Sequence, residues 1–114
     1  MFTYFILLGS NTADAPEKIR QALMSFVFIG DIVGVSPVEP SDNGYYNCVA
    51  VVRTSMDTES LTEQTKATEK MLGRNADDRK HIPIDIDIVM RDTDILRPRE
   101  AAAPYFLSGM EALI

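Results

Sequence analysis

Pro83-Ile84-Asp85-Ile86-Asp87-Ile88 decides how this chain folds. Apolar β-branched residues alternate with aspartates at period two, the period of a strand. Ile84, Ile86 and Ile88 therefore share one face, and Asp85 and Asp87 share the other. Such a strand belongs to a sheet with helices packed on one side and charge on the opposite side. The two carboxylates stand roughly 7 Å apart at strand spacing, repel each other, and have no basic residue beside them in their own strand. A solvated face whose charges discourage edge pairing accounts for that pattern. So does a divalent cation, Mg²⁺ in particular, which is held by one or two carboxylates plus substrate phosphates. The spacing alone leaves both open.

The rest of the chain places this strand fourth. Thr3 to Leu8 is a short aromatic and β-branched run bounded by Gly9, a buried strand. Asp14, Pro16 and Glu17 form an Asp-x-x-Glu capping box, and Ile19, Ala22, Leu23 and Phe26 follow as one helical stripe. Ile32 to Val35 reads as a second strand after Gly30. Ser36 to Gly44 is a loop ending in the turn signal Asn43-Gly44. Tyr45 to Thr54 is a third strand. Asp57 or Thr58 caps a second helix carrying Leu61, Thr65, Thr68 and Leu72, with Gly73 just past its end. A charged loop, Arg74 to Pro83, then enters the strand Ile84 to Met90. The order strand-helix-strand-strand-helix-strand predicts a ferredoxin-like α+β domain over residues 1–114, an antiparallel sheet with two helices on one face. After Met90, Asp92-Thr93-Asp94 is a turn, Ala101 to Pro104 a weak strand, and Met110, Leu113 and Ile114 belong to a short terminal helix.

Composition narrows the partners. The chain has 114 residues, 46% hydrophobic and 25% charged, enough for one modest core. A formal net charge of −6 argues against nucleic acid, which needs a clustered basic surface. The lone Cys48 excludes an internal disulfide and reads as a small buried hydrophobe. The N-terminal run lacks a basic region and turns at Gly9-Ser10-Asn11, unlike a secretory leader. No apolar stretch approaches the ~20 residues of a membrane helix. A cytoplasmic monomer is expected.

Four segments, taken in order, carry a family resemblance: Leu8-Gly9-Ser10-Asn11, Tyr45-Tyr46-Asn47, Leu72-Gly73-Arg74 and Pro83 to Ile88. Singly they say little. Together, at these intervals, they resemble 6-hydroxymethyl-7,8-dihydropterin pyrophosphokinase, the folate-pathway enzyme that transfers diphosphate from ATP to a pterin alcohol. The resemblance runs from Thr3 to about Pro104. It implies that Asp85 and Asp87 hold two Mg²⁺ ions between the ATP phosphates and the pterin hydroxymethyl group. It implies that Asn47 hydrogen-bonds the pterin ring and that Tyr45 lies beside it. Arg74 matches a loop arginine, Arg79 and Lys80 are candidate phosphate contacts in the same loop, and Ile88 and His81 fall on the nucleotide side.

The chain also departs from the family pattern. Ile82 stands where the family has an arginine three positions before the first metal aspartate, and Lys80-His81-Ile82-Pro83 replaces the motif around it. Tyr105 follows Pro104 where the family has histidine, while Glu100 and Glu111 occupy positions of basic ATP contacts. The loops before Tyr45 and after Arg74 are short, and the C-terminal region that helps wall the site ends early. Arginine clamps stabilise charge in phosphoryl transfer, and losing one can cost ~10³ in rate. Three readings follow: a working Mg-dependent pyrophosphokinase, a pterin- or nucleotide-binding homologue that has lost its clamps, or an interaction domain with solvated aspartates.

Overall fold

Period-two runs build the sheet, as the sequence predicts. The computed structural model describes all the residues, Met1 to Ile114. The elements, in chain order, are β1 (Phe2–Ser10), α1 (Ala15–Ser25), β2 (Asp31–Val35), β3 (Glu39–Pro40), β4 (Tyr46–Thr54), α2 (Thr58–Met71), β5 (Asp85–Arg91), β6 (Asp94–Ile95), α3 (Pro98–Ala101) and α4 (Pro104–Glu111). One six-stranded sheet runs β2-β4-β1-β5-β6, with β3 on the end of β4. Every pairing is antiparallel. The architecture is α+β, and no helix is long and apolar enough to cross a membrane.

Alternation sorts the residues of each long strand between two cores. Tyr4, Ile6, Leu8, Cys48, Ala50, Val52, Ile84, Ile86 and Ile88 pack with Ile19, Ala22 and Phe26 of the α1 side and with Leu61 of α2. Leu7, Val49, Val89 and Phe106 form a second, smaller cluster on the opposite face. Burying Phe106 there contributes ~1.5–3 kcal/mol, which keeps α4 on the sheet. This second layer departs from the expected two-helix cover. Ala101 to Pro104, read as a weak strand, instead ends α3 and starts α4. Pro98 and Pro104 each lie in a first helical turn, where the missing N–H costs nothing.

The caps agree only in part. Asp57 accepts from the Ser60 amide at 2.8 Å, and Gly73 has φ +104°, the left-handed C′ conformation. Asp14 makes no side-chain cap bond. Its carboxylate instead accepts from Thr12 Oγ1 at 2.8 Å, and Glu17 pairs with Arg20, so the capping box does not form. One irregularity matters for the site. The β1–β5 register slips between Phe5 and Ile6. At that slip, the Val89 carbonyl accepts from the amides of both Leu96 and Arg97, at 2.8 and 3.2 Å.

Candidate active site

Three adjacent strands meet in one row. Gly9 of β1 pairs with Asn47 of β4 on one side and with Asp85 of β5 on the other. Strands lie ~4.8 Å apart, so Asn47 and Asp85 look at each other across a glycine. A side chain at Gly9 would press on Asn47 Oδ1 at 3.1 Å and on the Tyr45 ring at 3.4 Å. Leu7, paired with Asp87, forms the next row. The result is a cleft of about 160 Å³ in which Asp85 and Asp87 meet Tyr45, Asn47, Glu100 and Tyr105. It lies on the face away from α1 and α2, as the alternation requires.

Both aspartates have cationic neighbours from outside their strand. Arg74 Nη1 donates to Asp85 Oδ1 at 2.9 Å, to the Ile84 carbonyl at 3.2 Å and to Glu69 Oε2 at 3.3 Å. Glu69 is buried, and the same oxygen accepts the Ile86 amide at 2.8 Å. A carboxylate on α2 thus fixes both the arginine and the strand carrying the aspartates. Arg97 Nη2 lies 3.6 Å from Asp87 Oδ1 and 3.3 Å from Glu100 Oε1. Burial pushes the Asp87 carboxyl up to about 7, and the Asp85 charge adds to this against the opposing pull of Arg97. Asp87 is only 15% exposed at its side chain, less solvated than the sequence implies. Tyr45 is likewise raised by burial and by Asp85, so its phenol stays neutral.

The remaining predicted residues divide around the cleft. Arg79 faces a second hollow with Arg74, Asn75, Tyr45 and Asp85. Lys80 is exposed and offers its backbone carbonyl to Asn11 at 2.8 Å. His81 points outward to Asp78, 3.1 Å away, and lines none of these hollows. Ile88 lies on the α2 face, where it joins Ile86, Leu96, Thr62, Lys66 and Arg97 around a pocket of about 210 Å³. Ile82 is buried, and Asn11 grips it from both sides through backbone and side chain. The position that could have held an arginine is therefore a packing plug for the loop. Glu111 lies on α4 and Tyr105 at the cleft wall.

The sequence reading missed Glu69 and Arg97. Glu69 had a signal, because it follows Leu61 and Thr65 along the buried stripe of α2. Arg97 had none, since its contact with Asp87 arises only through the fold.

A row of asparagine, glycine and aspartate with a second aspartate behind it suits a polar ligand held beside metal-bound phosphates. The family model for 7,8-dihydro-6-hydroxymethylpterin-pyrophosphokinase matches residues 5–113. The chain belongs to this family. No curated protein matches it. The pyrophosphokinases use ATP as co-substrate and generally Mg²⁺, in folate biosynthesis. The donor set here fits such an ion. Asp85 and Asp87 supply hard carboxylate oxygens in one cleft, the kind of donor that a hard divalent cation takes.

Proposed function

We propose that this pyrophosphokinase transfers diphosphate from ATP to the hydroxymethyl oxygen of 6-hydroxymethyl-7,8-dihydropterin, using a ferredoxin-like core in the cytoplasm, as a monomer. The strand order β2-β4-β1-β5 supports the ferredoxin-like reading. The observation that carries the function is the row Asn47–Gly9–Asp85, which sets a hydrogen-bonding amide next to the acidic pair. In the transfer the alcohol oxygen bonds to Pβ and gives up its proton to solvent, the bond from Pβ to the α,β-bridging oxygen breaks, and AMP leaves with that oxygen. Asp85 and Asp87 would hold Mg²⁺, as two ions, and the metal would supply neutralisation of charge on the transferring group.

The chain's own residues do the positioning. Asn47 Nδ2 donates to Ser41 Oγ at 2.8 Å, which fixes the amide plane and leaves Oδ1 toward Gly9 to accept from the pterin. Tyr45 gives an aromatic wall, and a flat heterocycle stacks on it. Arg74 holds Asp85 in place and, with Arg79 and Lys80, supplies cations on the loop side. Ile88 floors the nucleotide side, where the base would rest. His81, tied to Asp78, reaches phosphate only from the loop rim. A slowed or non-catalytic homologue is the second reading, and two observations favour it: Ile82 is a buried plug, and Glu100 faces the cleft.

The test is chromatographic detection of AMP from ATP, the pterin alcohol and Mg²⁺. AMP formed one-for-one with pterin diphosphate supports the enzyme. Pterin binding by calorimetry without AMP supports the slowed homologue. Failure to bind either ligand overturns both.

A further inference from the structure

The basic groups expected on the nucleotide side are acidic or absent here, yet one guanidinium stands between the Ile88 pocket and the acidic cleft. Arg97 lies at the sheet edge beyond β5. Its backbone is pinned, because its amide and that of Leu96 both bond the Val89 carbonyl. Its side chain is free to respond, at 48% exposed. Arg97 lines the Ile88 pocket together with Lys66, and its head group also reaches Asp87, which opens into the acidic cleft on the other face. A base resting on Ile88 therefore sends its phosphates past Arg97 to reach the aspartates.

We propose that Arg97 is the polyphosphate clamp of this chain, substituting from the sheet edge for the arginine that is missing at Ile82. The inference rests on the pyrophosphokinase reading above. Arginine suits the task, since its planar fork takes two phosphate oxygens at once. Its present partners hold it loosely. An ion pair at such exposure is worth little, so exchange of Asp87 and Glu100 for phosphate oxygens is cheap. Arg79 and Lys80 do not duplicate this role, because the hollow that Arg79 faces adjoins Asp85 on the loop side. Glu100 then acts as the competitor, holding the guanidinium until the polyphosphate arrives.

Calorimetry with α,β-methylene-ATP in excess Mg²⁺, and separately with AMP, tests the assignment on the wild type, Arg97→Ala, Arg97→Met and Glu100→Gln. Arg97→Met keeps the length of the stem, so it separates loss of charge from loss of packing. Both Arg97 variants should weaken the methylene analogue by about 10- to 100-fold while AMP changes less than about twofold. Glu100→Gln should tighten the analogue by about threefold or more, by releasing Arg97. A merely structural arginine would not separate the two nucleotides. Equal loss for AMP and the analogue, or wild-type affinity in both Arg97 variants, overturns the proposal and leaves the pyrophosphokinase reading standing. A wild type that binds neither nucleotide overturns both.

Discussion

Asp87→Asn should stabilise the metal-free protein at pH 8 and much less at pH 5. The Asp87 carboxyl is raised to about 7 by burial and by Asp85, from its ordinary value of 3.8. Below the unfolded value both states hold the proton, and the group's favourable contribution is complete. As pH rises toward 7 the folded state keeps the proton that the unfolded state has lost, so stability falls, and the loss is complete above about 7. Between pH 5 and about 7 lie about two units, each ~1.4 kcal/mol, giving a ceiling of ~2.7 kcal/mol. Relaxation of the half-exposed Arg97 and entry of water reduce this to ~1–2 kcal/mol. Asparagine keeps the shape and cannot ionise, so it escapes the penalty. The assay is urea denaturation of both proteins in chelator at pH 5 and pH 8. Subtracting wild type from variant cancels the titrating groups that do not interact with Asp87. A difference that stays flat between the two pH values refutes the reasoning. Excess Mg²⁺ at pH 8 should reverse the ranking, since only the wild type keeps both carboxylates.

Three further outcomes are expected. Asn47→Ala should weaken pterin binding by ~1–3 kcal/mol, read by calorimetry, while Mg²⁺ affinity measured the same way is unchanged. Glu69→Ala strands the Ile86 amide and releases Arg74, so urea titration should register a loss of ~2–3 kcal/mol. Gly109→Ala puts a methyl group into the Val49 side chain, an overpacking cost of ~1–3 kcal/mol. Limited proteolysis should then cut first within α4.

How much of this was legible in the sequence depends on the range of the interaction. The faces of β5 followed from period two, because Ile-Asp alternation is a local pattern with a local consequence. The helix ends at Asp57 and Gly73 were equally local. Strand register is not local. That Gly9 would stand between Asn47 and Asp85 depends on two pairings with partners 38 and 76 positions away in the chain. The quoted segments marked the residues without stating that they form one row. Pro104 misled because proline interrupts a strand and also begins a helix, and only Phe106 packing on Val49 and Val89 selects the helix. Asp14 failed as a cap because Thr12, two residues away, bound its carboxylate first.

The acidity of the chain now has a place in the site. The cleft and its rim bring together the carboxylates of Asp85, Asp87 and Glu100 with the guanidiniums of Arg74 and Arg97. With Asp87 ionised, three negative charges against two positive ones leave one negative, which repels a triphosphate. Protonating Asp87 brings the sum only to zero. On the proposed reading, one divalent ion turns the balance to one positive, and a second ion turns it further. The arginines cannot do this alone, since each already has a carboxylate partner, and exposed exchange of one anion for another gains little. Arg79 and Lys80 make no ion pair, but they stand on the loop side, where only phosphate already anchored near Asp85 can reach them. The cation must therefore come with the nucleotide or before it, and the arginines then sort the phosphates it has drawn in.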